Sequence, residues 1–137
     1  MAAAMQATVN WRDGLVFEAE SGSGHSVTMD GNKAEAASPM ELVLMAAGGC
    51  SSVDVVSILE KARQQVSAVR CEVKGERADA VPAVFTKVHL HFVVTGTDVA
   101  DKHVERAVAL SADKYCSVAK MLEASVQLTH SYSIENV

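Results

Sequence analysis

The chain has 137 residues, of which 49% are apolar and 21% charged, with a net charge of −5. That length fits a single domain spanning 1–137, and an acidic balance with no Lys/Arg cluster argues against a nucleic-acid or anionic-membrane partner. The opening "MAAAMQATVNW" has no early basic residue and its apolar run breaks at Gln6. No signal peptide is therefore read there. The longest charge-free stretch, Leu42 to Val53, is too short to span a bilayer, so a soluble cytoplasmic protein is expected.

In chain order, "MQATVNW" and "LVFEAES" read as strands joined at "RDG", where Asp13-Gly14 tolerates the positive φ of a hairpin turn. "SGSG" is a second turn and "HSVTMD" a third strand, followed by a polar loop from Gly31 to Ser38. "SPMELVLMAAGGCSSVDVVSILEKARQQV", Ser38 to Val66, reads as one long helix. Ser38 can N-cap it, Pro39 suits the first helical position, and Glu41 completes a capping box. Apolar residues run round most of its circumference, which predicts burial on most sides.

"AVRCEVKGE" alternates with Val69, Cys71, Val73 and Gly75 on one face and charges on the other, a half-buried strand. "FTKVHLHFVVTG" is the clearest strand, with Val88, Leu90, Phe92 and Val94 facing inward. The segment from Thr97 to Ser125 has helical spacing, as two helices broken near Ser111 to Asp113, and "VQLTHSYSI" closes as a strand. The order β-β-β-α-β-β-α-α-β groups its strands and predicts an α+β fold with mostly antiparallel sheets. No dinucleotide, Walker, Gly-x-Ser-x-Gly, His-Glu-x-x-His or Cys-x-x-Cys pattern is present.

The chemistry-bearing candidates are thiols. The chain has three cysteines, an odd number that argues against a structural disulfide framework. Cys50 follows Gly48-Gly49, which cost about 1 kcal/mol each against Ala in a helix interior. That expense suggests that something approaches the helix closely there. Ser51 and Asp54 make the patch less than uniformly apolar. Cys116, in "DKYCSVAKMLE", falls in the first turn of a helix that Ser111 or Asp113 can cap, where free N–H groups favour a thiolate. Cys71 reads as a core thiol. His89 and His91 share the outward face of their strand. They could bind zinc, but no third ligand is identifiable, and a solvated face is the plainer reading.

At "SPMELVLMAAGGCSSVDVVSIL" and "KYCSVAKMLE" the chain resembles the OsmC/Ohr family, the osmotically inducible protein C and organic hydroperoxide resistance proteins. "HSVTMDG" and "HFVVTG" look closest to its YhfA-like branch. The resemblance implies an intertwined homodimer, with long central helices between sheets from both chains and active sites at the subunit interface. It further implies thiol-dependent reduction of organic hydroperoxides in oxidative-stress defence. Cys50 matches the peroxidatic thiol and Cys116 the resolving thiol. A dithiol would serve as reductant, with no cofactor and no metal.

Family members usually pair the reactive thiol with an Arg and a Glu. Met40 stands at the usual Glu position and Glu41 one residue later, a rotation of about 100° on a helix. Arg12, at the first hairpin tip, is the nearest match to the Arg, and only Lys33 lies shortly before the helix. Ser117 replaces the usual Pro of the second motif. The alternative reading is a protein of the same scaffold that binds an apolar small molecule or senses oxidants without efficient turnover.

Overall fold

The computed structural model describes residues 4–137. Its elements are β1 (Ala7–Asp13), β2 (Val16–Ser21), β3 (Ser26–Asp30), α1 (Pro39–Lys61), β4 (Gln65–Arg77), β5 (Phe85–Thr97), α2 (Asp101–Leu110), a π-type turn (Ser111–Tyr115), α3 (Ser117–Leu122) and β6 (Gln127–Asn136). This is the expected α+β order. The chain forms two compact units, one ending at Val43 and one running Leu44–Val137.

The first unit is the antiparallel meander β1-β2-β3. Its first turn places Gly14 at φ +53°, and the Trp11 indole N–H closes it by donating to the Gly14 carbonyl at 3.0 Å. Asp30 ends β3 fully buried. Its carboxylate accepts the backbone N–H groups of Asn32, Ala34 and Glu35 at 2.8, 3.1 and 2.9 Å. These bonds tie down the polar loop and hold the carboxyl below its ordinary range, Glu35 N–H contributing most. The same unit ends in the start of α1, where the capping box is present. Ser38 N–H donates to Glu41 Oε1 at 2.9 Å and Glu41 N–H to Ser38 Oγ at 3.2 Å.

The second unit contains a sheet ordered β4-β5-β6. β4 and β5 pair antiparallel with Cys71 opposite Phe92. β5 and β6 pair parallel with Phe92 opposite Tyr132, because α2 and α3 supply the long crossover that a parallel pair requires. Val88, Leu90, Phe92 and Val94 form the buried face of β5 as the alternation predicted. Gly48 and Gly75 bring α1 onto β4. A Cβ at Gly48 would lie 2.8 Å from Val73 Cγ2, and one at Gly75 would lie 2.9 Å from Leu44 Cδ2.

One expectation about α1 needs correction. The helix ends at Lys61, not Val66. Arg63 takes φ +58°, Arg63 N–H bonds the Glu60 carbonyl and Gln64 N–H the Leu59 carbonyl, a Schellman stop formed without glycine. Within this single chain one face of α1 is buried, through Ala47, Gly48, Ser51, Val55 and Leu59. Met45 and Val53 are 57% and 69% exposed. By length and composition α1 could cross a membrane, a test that the central helix of a soluble protein passes equally.

Candidate functional site

Gly48 fixes which side of α1 meets the sheet. Cys50, two residues on, lies about 200° round the helix from Gly48. Cys50 lies near enough to push the Cys116 thiol up, and both thiols are free. Cys50 is half-buried, whereas Cys116 is fully enclosed.

Cys116 was expected in the first turn of a helix capped by Ser111 or Asp113. Instead it is the cap of α3. Its backbone is extended, at φ −74° and ψ 107°. Its Sγ accepts the Ala119 N–H at 3.3 Å and the Ser51 hydroxyl at 3.2 Å. Ser111 serves elsewhere. Its carbonyl accepts the Cys116 N–H at 2.8 Å, and its hydroxyl faces the Ser51 carbonyl at 3.1 Å and Asp54 Oδ2 at 3.2 Å. Burial raises the Cys116 thiol most, the Ser51 and Ala119 donors oppose it, and Cys50 raises it further. Ser51 and Ser111 are thus the polar frame of the site. The sequence signal for them was weak: two serines at helix-interior positions, both fully buried.

Cys71 lies on β4 against Gly48, 3.8 Å from where a Cβ would sit. Burial pushes its thiol up to about 11, opposed by the Ser52 hydroxyl. A thiol whose folded value exceeds its unfolded value favours folding fully below the unfolded value of about 8.5, and that contribution is lost as pH rises through about 11. Cys71→Ala is therefore expected to flatten the alkaline loss of stability. Urea unfolding of both proteins at about pH 8 and about pH 10.5 measures it. Equal losses in the two proteins would show that the Cys71 proton is not linked to folding.

The other two predicted site residues lie in the first unit. Arg12 extends from β1 into a group of carboxylates, Asp13 and Glu18 at 3.2 Å each and Glu35 closer still. Its guanidinium is held more firmly protonated, chiefly by Glu35. Glu41 is engaged in the capping box, and the Ser38 N–H lowers its carboxyl. His89 and His91 share one face of β5, as their spacing required, and form a ladder with hydroxyls of β6. His89 bonds Thr129 at 2.6 Å and Ser131 at 2.8 Å, and His91 bonds Ser131 at 2.7 Å. Among the described residues no group of three or more His, Cys, Asp or Glu is arranged to hold a metal ion.

A family model described as OsmC-like protein matches residues 30–131. Protein YhfA of Escherichia coli K12 is 60% identical over 133 residues, which cover 95% of this chain and 98% of that one. A crystal structure of a hypothetical protein from Aquifex aeolicus VF5 superposes with a TM-score of 0.90 at 30% identity, covering 99% of each chain. The organic hydroperoxide resistance protein OhrB of Bacillus subtilis shares the fold at a TM-score of 0.63 and 13% identity, covering 96% of this chain and 98% of that one.

Proposed function

Because the chain belongs to the OsmC-like family, we propose that it is a thiol-dependent reductase of organic hydroperoxides working through Cys50 and Cys116. The observation that carries this reading is that α1 brings two free thiols from distant parts of the chain together: the hydroxyl of Ser51, the residue after Cys50, bonds the Cys116 sulfur at 3.2 Å, and Cys50 lies near enough to raise that thiol. Access divides their roles. Cys50 is half-buried and open to a substrate, while Cys116 is enclosed. The Cys50 thiolate attacks the terminal oxygen of R–O–O–H. The O–O bond breaks, the alkoxide leaves as alcohol after taking a proton, and Cys50 becomes a sulfenic acid. The Cys116 thiolate then attacks the Cys50 sulfur, water leaves, and a disulfide forms. A dithiol reductant restores both thiols by exchange. Ser51 steadies the developing charge on the Cys116 sulfur before it attacks.

The remaining partner is a second copy of the chain. Met45, Gly49, Val53 and Val56 form an uncovered strip along α1. Gly49, Val53 and Val56 line a groove of about 380 Å³, and a Cβ at Gly49 would meet nothing within 4 Å. A helix apolar on all sides belongs in a core, and a copy of the same helix would cover the strip. The subunit interface would then roof the Cys50 side of the helix and exclude water from the thiols, suiting an organic hydroperoxide over hydrogen peroxide. Such a protein serves oxidative-stress defence in the cytoplasm, where the thiols stay reduced.

Arg12 favours a second reading. Its guanidinium is engaged by three carboxylates of its own unit, and among the described residues no Lys or Arg hydrogen-bonds either thiol. A buried thiol without a cation is slow, and the same pair would then sense oxidants or bind an apolar molecule. The test is one equivalent of cumene hydroperoxide on the reduced protein, with free thiols followed over seconds and the product mapped by peptide mass spectrometry. Rapid loss of two thiols with a Cys50–Cys116 crosslink is expected. Unchanged thiols after many minutes would overturn the peroxidase reading in favour of the second.

A further inference from the structure

Within the second unit, α1, α2 and the π-type turn enclose a cleft of about 640 Å³, within the size range of small-molecule sites. Asp54, Ile58 and Lys61 line it from α1, His103 and Arg106 from α2, and Tyr115 from the end of the turn. It adjoins the Val53 strip at Ser57, which lines both, but its Asp54, Ile58 and Lys61 wall lies further round α1 and turns toward α2. Its chemistry also differs from that apolar strip. Neither Lys61 nor Arg106 pairs with a carboxylate among the described residues, whose ion pairs all lie elsewhere. The one carboxylate in the wall, Asp54, already faces the Ser111 hydroxyl. Two unpaired cations and an imidazole around one engaged carboxylate give the cleft a positive bias, in a chain whose net charge is −5. Ile58 and the half-exposed Tyr115 ring add apolar surface, and Lys114 Nζ lies 5.3 Å from the centroid of that ring.

The cleft is also wired to the thiols. π-type turns are uncommon and gather at functional sites. Here Tyr115 lines the cleft and immediately precedes Cys116. Ser111, at the other end of the turn, bonds Asp54 in the cleft wall and the carbonyl of Ser51, whose hydroxyl donates to Cys116.

We propose that this cleft binds a small organic oxyanion with an apolar body, Arg106 and Lys61 holding the anionic group and Ile58 and Tyr115 the body. Occupancy bears on Tyr115 and Asp54 and so adjusts the setting of Cys116. The site does not depend on whether Cys50 reduces peroxides.

The test is a 1H–15N NMR titration of the reduced full chain with phenyl phosphate, with benzoate as a second anion and benzyl alcohol as the neutral comparison. Saturable shifts at Lys61, His103, Arg106 and Tyr115, passing on to Cys116, are expected with both anions and not with the alcohol. Arg106→Gln and Lys61→Gln are each expected to weaken binding about tenfold, and Arg106→Lys to retain part of it. Both side chains are exposed, so the variants keep the fold. Shifts absent for the anions, equal for benzyl alcohol, or unchanged in the double variant would overturn the proposal. So would cleft resonances that respond to dilution instead of to the probes, since a second copy would then fill the cleft.

Discussion

Cys50→Ser is expected to reduce hydroperoxide consumption to the uncatalysed background, whereas Cys116→Ser is expected to complete one turnover and stop at a sulfenic acid. The asymmetry follows from burial. Attack on the O–O bond needs a sulfur that the substrate can reach, and of the pair Cys50 is the one partly open; Cys116 is 0% exposed. Serine keeps the size of either side chain but not its nucleophilicity, so loss of activity reports chemistry and not packing. Cys116→Ser also retains an acceptor for the Ser51 hydroxyl and the Ala119 N–H, so the α3 cap survives. The readouts are peroxide consumption over many equivalents and dimedone trapping of the sulfenic acid, seen by intact mass. A Cys50→Ser protein that still turns over while Cys116→Ser does not would move the attack to Cys116. Full activity in both would remove the pair from the chemistry. Ser51→Ala should slow disulfide closure without changing the first step, because its hydroxyl meets Cys116 and not the substrate.

The alternation on β5 predicted its buried face residue by residue, and Ser38, Pro39 and Glu41 located the start of α1, because both signals are local. The end of α1 was not legible. "EKARQQ" keeps good helix formers to Gln65, and the stop is made by Arg63 in a left-handed conformation that usually advertises itself through glycine. Gly48-Gly49 were visible as an anomaly, but their purposes differ. Gly48 admits β4, and Gly49 faces open space. The pairing of Cys50 with Cys116 came from family resemblance alone, since no periodicity relates residues so far apart. The π-type turn that delivers Cys116, and the use of its sulfur as a helix cap, had no local signal: serine and aspartate are the usual caps, and both were available at Ser111 and Asp113.

If the proposed dimer forms through the α1 strip, Val53→Lys is expected to leave the single chain folded and to dissociate that dimer to monomers. In one chain Val53 is 69% exposed, and a substitution at such a surface position ordinarily changes stability by about 0.5 kcal/mol or less. If a second copy of α1 covers the strip, the same ammonium is buried without a counter-charge, at a cost of several kcal/mol. About 4 kcal/mol weakens association roughly a thousandfold, enough to dissociate a tight dimer at micromolar concentration. Sedimentation equilibrium gives the association state, and circular dichroism with urea unfolding shows whether the monomer keeps its structure. A dimer of undiminished affinity would show that the strip is not the interface. Peroxide assays on the monomer add the functional half of the argument. If the partner helps to roof the thiols, activity falls together with dimerisation although Cys50, Ser51 and Cys116 are untouched. If the monomer reduces hydroperoxides at the full rate, the reacting groups are complete in one chain and the second copy serves only to cover the apolar face of α1.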